Sequence, residues 1–257
     1  MPEDQRFRSA GSIAGVFCRA VVVCAVASAA AMVLRAIDKS LLGALSPGDL
    51  ISQAYIGFTD LVWTAMNVGY SAAVLVAAVA ISWWVARVVR NTEWLARGRI
   101  RSAWWSWVWF WVPGANLFRP VGIVGELWAV NEYGRDRVCS GSLTRGRAER
   151  GRLTRRPPLV SAWWLCVVVW VVLERVGEAM ILYGPSGVMG LPTNPGVYIA
   201  MGGNAFGIAA AWLGIRVVRR VTALQDEWEA RTPKRDERRA VPDRSLRVSP
   251  LRNEPAA

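Results

Sequence analysis

Long apolar runs alternate along the chain with short arginine-rich breaks, and the runs have the length of helices rather than strands. Residues 61–86 hold no charge, include AAVLVAAVAISWW, and end at Trp83 and Trp84 followed by Arg87 and Arg90. A helix needs about 20 mainly apolar residues to cross a bilayer, and an aromatic belt followed by cationic anchors marks its exit. Residues 195–215 repeat the pattern and run into Arg216, Arg219 and Arg220. The first run is shorter: between Arg19 and Arg35 lies AVVVCAVASAAAMVL, and the two arginines must snorkel outward in opposite directions for this helix to reach across. Ala27-Ser28-Ala29 has the small-x-small form of a signal-peptide cleavage site, but Arg19 interrupts the apolar core, which favours a retained anchor. A further run, from Pro158 to Leu173, meets Glu174, Arg175 and Glu178; Arg175 and Glu178 are spaced to pair on one helix face.

The remaining apolar segment is of another kind. Residues 102–118, SAWWSWVWFWVPGANLF, barely suffice to span and are dense in tryptophan, which prefers the headgroup interface. Pro113-Gly114 breaks a helix there. Basic residues arbitrate. If this segment re-enters or lies flat, four helices span, both termini are cytoplasmic, and 28 basic residues lie inside against 3 outside. If it spans, the best five-helix arrangement gives 22 against 9. The positive-inside rule selects four spans. It also puts residues 87–101 in a cytoplasmic loop, where a cysteine at Thr92 would be shielded from impermeant reagents applied outside.

The chain is thus expected to be all-α, a polytopic helical membrane bundle of four transmembrane helices plus a Trp-rich re-entrant or interfacial segment, with five spans as the alternative. Residues 1–11 form a cytoplasmic N-terminus and 12–230 the membrane domain, with apolar segments at about 17–37, 61–86, 102–118, 158–182 and 195–217. Residues 140–157 carry six arginines among Gly and Ser and form a flexible basic loop; 231–257 are charged, Pro-containing and read as a disordered basic tail. In the last span Gly203, Gly207 and Ala211 recur at four-residue spacing, a device for close helix packing. Packing within the chain is the plainer reading, and a homo-oligomer the sharper one.

Composition narrows the chemistry. Apolar residues make up 53% and charged residues 19%, against about 25% charged in soluble domains. Fifteen tryptophans accompany no histidine, which removes Ser-His-Asp and Cys-His catalysis, His-ligated metals and an imidazole switch. The formal charge of +12 needs no nucleic acid to explain it, since the arginines cluster between apolar runs. The four cysteines lack metal-binding spacing, so no metal and no cofactor are expected.

The stretch from Trp84 to Trp128 reads WVARVVRNTEWL, then WWSWVWFWVPGANLFRP, then VGIVGELW. It resembles the bacterial multi-pass membrane proteins grouped as domain of unknown function 4328. The resemblance rests on Trp84, Arg87, Asn91, Trp111, Pro113, Asn116, Leu117, Pro120, Leu127 and Trp128, with Trp163-Trp164 and RRVTALQ (Arg219 to Gln225) fitting the same layout. It covers about residues 60–225. It implies a multi-pass architecture in a bacterial plasma membrane and no activity, because the family has none assigned.

Within that block Pro113 ends a helix, Asn116 is placed to satisfy freed backbone groups, and Arg119-Pro120 suits a new helix start. Trp111, Pro113, Pro120 and Trp128 therefore form an elbow, and Glu126 is within reach of Arg87 or Arg90. Arg87, Asn91, Asn116, Arg119 and Glu126 are the candidate polar or headgroup site. Three functions compete. The first is a non-catalytic accessory or regulatory membrane component engaging anionic lipid or a protein partner. The second is a small transporter or channel, disfavoured by the lack of ionisable residues deep in the clear spans. The third is an intramembrane or lipid-modifying enzyme limited to Glu126, Glu174 or Glu178 for acid–base work, without a paired-carboxylate motif.

Overall fold

A computed structural model of the chain describes residues 7–44, 53–96, 108–112, 118–140, 157–183 and 195–231. These residues form five helices and no strand: α1 (Gly11–Ala44), α2 (Gln53–Ala96), α3 (Arg119–Ser140), α4 (Pro158–Tyr183) and α5 (Pro195–Arg231). Four of them, α1, α2, α4 and α5, are long and apolar enough to cross a membrane; α3 is not among them. Their outward faces are apolar, with Leu61 68%, Val26 64% and Leu165 63% exposed. Apolar surface of that kind on four helices of spanning length fits a lipid surround, and the protein is a multi-pass membrane protein.

The helices outrun their apolar segments. α2 has 44 residues and α5 has 37, about 66 and 55 Å at 1.5 Å per residue, whereas the hydrocarbon core is about 30 Å thick. Residues 87–96 therefore belong to α2, not to a loop. The cause is legible afterwards: no Gly or Pro intervenes before Gly98, and Val88, Val89, Thr92 and Leu95 fall on one buried face. α5 continues in the same way through Val217, Val218, Val221, Leu224 and Trp228, all buried.

The spanning helices run up and down in turn. The start of α1, the end of α2, the start of α4 and the end of α5 meet at one end of the bundle, called proximal here, where Ser9 Oγ donates to Asp226 Oδ1 at 3.2 Å. α3 lies beside the proximal halves of α2 and α5, burying Val124 and Leu127 against the core that Trp84, Val88, Val217 and Val221 share. Asn131 of α3 is hydrogen-bonded to Thr92 of α2, so both lie at the proximal end. Of the Trp-rich segment 102–118, residues 108–112 and 118 are described. Within this segment 108–110 form a single 3₁₀ turn. Its Trp111 Nε1 donates to Ser82 Oγ at 3.0 Å, and Phe110 packs edge-on to Trp164.

α4 and α5 approach most closely. A Cβ on Gly177 would lie 2.7 Å from the Ala200 backbone nitrogen and 2.9 Å from the Gly196 carbonyl oxygen, and one on Gly214 would lie 2.8 Å from Trp163 Nε1. Gly203 sits against the backbone of Glu174 and Gly207 under the Trp170 ring, while Ala211 is buried. The residues upstream of Ala29, which a cleavage there would remove, contribute Phe17 and Cys18 to the core.

Candidate functional site

The proximal end is organised by uncharged polar side chains within the apolar faces of three helices. Asn91 and Thr92 come from α2, Asn131 from α3, and Thr222 and Gln225 from α5; all five are buried. Asn91 Nδ2 donates to the Arg8 carbonyl at 3.0 Å and to Gln225 Oε1 at 3.2 Å. Gln225 Nε2 donates to the Val88 carbonyl and to Thr92 Oγ1, each at 2.9 Å. Thr92 Oγ1 donates to the Val88 carbonyl at 2.8 Å and accepts from Asn131 Nδ2 at 3.1 Å, while the second Asn131 amide hydrogen goes to Leu127 O. Trp84 Nε1 donates to Thr222 Oγ1 at 3.0 Å.

Counted by capacity, the network closes on itself. A hydroxyl offers one donor and two acceptor positions, and an amide two donors. Thr92 uses all three, and the amide groups of Asn91, Gln225 and Asn131 use both of theirs. Buried polar groups that are fully paired rigidify a core, and none here is held open for a ligand. The arrangement clamps α2, α3, α5 and the segment before α1 together.

The outer surface of the proximal half forms a rim of a different character. Trp83, Trp109, Trp111 and Trp212 are exposed. Arg119 places its guanidinium 5.1 Å from the centre of the Trp109 ring, and Arg216 lies 3.8 Å from that of Trp212. Arg90 and Arg219 are exposed and Arg87 half-buried. Arg216 follows the uncharged run of α5 and Arg119 opens α3; arginine stacked on exposed tryptophan at the edge of an apolar segment is the chemistry of a headgroup boundary.

The five residues of the candidate polar site thus have different surroundings. Asn91 is 3% exposed and spent on the clamp. Arg119 and Arg87 belong to the rim. Glu126 is half-buried on α3, and Asn116 lies outside the described residues. Of the elbow, Trp111 reaches Ser82, Pro120 is buried in the first turn of α3, Trp128 Nε1 donates to Glu132 Oε2 at 3.2 Å, and Pro113 lies outside the described residues. The basic loop at 141–156 and the tail from 232 also lie outside them. Thr92, nominated as a labelling position in a loop, is fully buried, so its protection would report packing rather than sidedness.

Sequence reasoning missed Thr92, Asn131, Thr222 and Gln225 as one unit. The available signal was an amide or hydroxyl in register with buried valines and leucines, as at Val88–Thr92, Leu127–Asn131 and Val221–Gln225. Arg175 and Glu178 do pair, at 3.1 Å on an exposed face. Among the described residues no three Cys, Asp or Glu side chains gather to hold a metal ion.

No curated protein and no solved structure matches the chain. A family model described as Domain of unknown function (DUF4328) matches residues 48–223, from the segment before α2 through most of α5. This range contains Trp84, Asn91, Thr92, Asn131 and Thr222 of the clamp and the Trp-rich segment. The chain belongs to the DUF4328 family of domains of unknown function.

Proposed function

We propose that the protein is a non-catalytic accessory or regulatory component of a bacterial plasma membrane, with both termini in the cytoplasm, whose proximal end engages anionic lipid and through it a protein partner. The observation that carries this reading is the contrast between a polar interior in which the amide hydrogens of Asn91, Asn131 and Gln225 and the Thr92 hydroxyl hydrogen are all spent and an outer rim of arginines stacked on exposed tryptophans. An interior of that kind holds shape; a rim of that kind reads a membrane surface. A basic residue near an anionic leaflet contributes about 1 kcal/mol, so several on one rigid end act together. The cytoplasmic assignment rests on the distribution of basic residues, 28 on that side against 3.

The test is purification of the full chain in native nanodiscs, followed by mass spectrometry of the retained lipids and proteins. Enrichment of phosphatidylglycerol or cardiolipin over the bulk membrane, together with a stoichiometric protein, is the expected result. Arg119→Leu should lower anionic-lipid retention about fivefold, one residue's share of surface attraction, while Arg147→Leu in the basic loop changes it little. Equal responses from both arginines, or retention of a metabolite or a chemically altered lipid in place of a partner, would overturn the reading.

A further inference from the structure

The opposite, distal end of the bundle carries charge where the proximal clamp carries none. Arg35 of α1 rises beside α2 and α4. Its guanidinium lies 5.6 Å from the centre of the Trp63 ring, and its Nη1 is buried with no hydrogen-bond partner. Two carboxylates stand in the same cluster, each already held by an indole. Glu174 Oε2 accepts from Trp170 Nε1 at 3.0 Å, and Asp38 Oδ2 accepts from Trp63 Nε1 at 3.1 Å. Glu174 is close enough to Arg35 for each to feel the other's charge. Tyr70 of α2 meets Trp170 edge-on at 6.4 Å, beside the buried Ser28. α2 and α4 are not among the closely packed helix pairs and meet here through these side chains.

Buried donors in folded proteins are almost always satisfied, and one that is not calls for an acceptor. The fitting acceptor is constrained by its surroundings. A phosphate oxygen answers Arg35, but Glu174 and Asp38 repel a ligand that brings only negative charge. A ligand with a phosphate and a nearby ammonium satisfies both. The flanking surface is apolar and exposed at Val33 of α1, Leu61 of α2 and Val176 of α4, which suits acyl chains. We propose that the distal end binds the headgroup of an amine-bearing phospholipid, its phosphate accepting from Arg35 Nη1 and its ammonium turned toward Glu174. This site is separate from the proximal rim and has the opposite selectivity.

The experiment uses the detergent-solubilised full chain, native mass spectrometry and thermal unfolding, with dihexanoyl phosphatidylethanolamine, dihexanoyl phosphatidylglycerol and soluble phosphoethanolamine as probes. The wild type should bind one phosphatidylethanolamine more tightly than phosphatidylglycerol. Arg35→Met should weaken that binding by about tenfold or more, the worth of one charge-assisted hydrogen bond, while leaving the melting temperature of the lipid-free protein unchanged or higher. A purely structural arginine would lower it. Should Arg35→Met fail to fold, Arg35→Lys, which keeps the charge and loses the guanidinium, should retain intermediate affinity. Glu174→Gln should erase the preference for the amine. Arg175→Met, at the same end but paired with Glu178 in the open, and Arg219→Leu on the proximal rim should change nothing. Equal binding by wild type and Arg35→Met, or phosphatidylglycerol held as tightly as phosphatidylethanolamine, overturns the proposal. Competition by phosphoethanolamine at the lipid's own concentration overturns the lipid assignment.

Discussion

The two ends of this bundle solve the same problem, polar groups among apolar helices, in opposite ways. At the proximal end Asn91, Thr92, Asn131 and Gln225 are neutral, fully buried, and spend their hydrogens on one another and on backbone carbonyls. At the distal end Arg35, Asp38 and Glu174 are charged, less buried, and leave Arg35 Nη1 unpaired. Removing an amide from water is costly but offset in full by hydrogen bonds at fixed distances. A guanidinium near two carboxylates that indoles already hold keeps a larger desolvation cost and a spare donor. The first arrangement fixes a shape and the second retains a capacity.

The comparison breaks most sharply at Gln225. Gln225→Leu strips Thr92 and Asn91 of partners and should cost roughly 3 kcal/mol, from more than one buried group left unpaired, read as a lowered melting temperature in detergent. Unchanged stability would mean that the clamp is ornamental. Gly177→Ala tests the helix crossing that joins both ends. Its Cβ meets backbone on α5, which cannot swing aside as a side chain can, and overpacking of this kind costs about 2 kcal/mol. A silent Gly177→Ala would show α4 and α5 free to part. Arg35→Met sharpens the contrast by its size: Arg35 Nη1 has no hydrogen bond to lose, so lipid-free stability should shift by less than about 1 kcal/mol, the worth of a pair without direct contact. A clear loss would make the distal end a second clamp. Smallest in energy and most direct on sidedness is Ala223→Cys in a chain with its native cysteines replaced. Position 223 is exposed on α5, so its thiol should react with impermeant reagents in inverted vesicles and resist them in right-side-out ones.

Much of this architecture was legible in the order of residues, and the reason is physical. A bilayer imposes a length and a polarity on every crossing, so uncharged runs at 61–86 and 195–215 declare themselves without reference to partners. Arg175 and Glu178 were equally plain, because their spacing is a property of one helix. Where helices end was harder. Arg87 and Arg90 look like the start of a loop, yet the helix continues because burial of Val88, Val89 and Leu95 outweighs the exposed charges between them. The clamp was harder still. Asn91 was singled out for its place in a motif and expected beside Arg119 and Glu126, but a side chain's partner on another helix depends on the rotation of both. That rotation is set by packing, as of Trp163 against Gly214, which no single segment encodes. The open donor of Arg35 was hidden by its position at the end of the first run, where an arginine free to snorkel outward is the simpler expectation.

The clamp also has an order in time. Arg8 and Asn91 are joined across 83 residues, Thr92 and Gln225 across 133, and Ser9 and Asp226 across 217. A ribosome makes α2 long before it makes α5. Until residue 225 emerges, the Thr92 and Asn131 side chains have each other but lack the amide that completes them. The nascent bundle therefore holds its proximal end unfinished through most of synthesis, and α5 on its arrival closes a joint begun by the segment before α1.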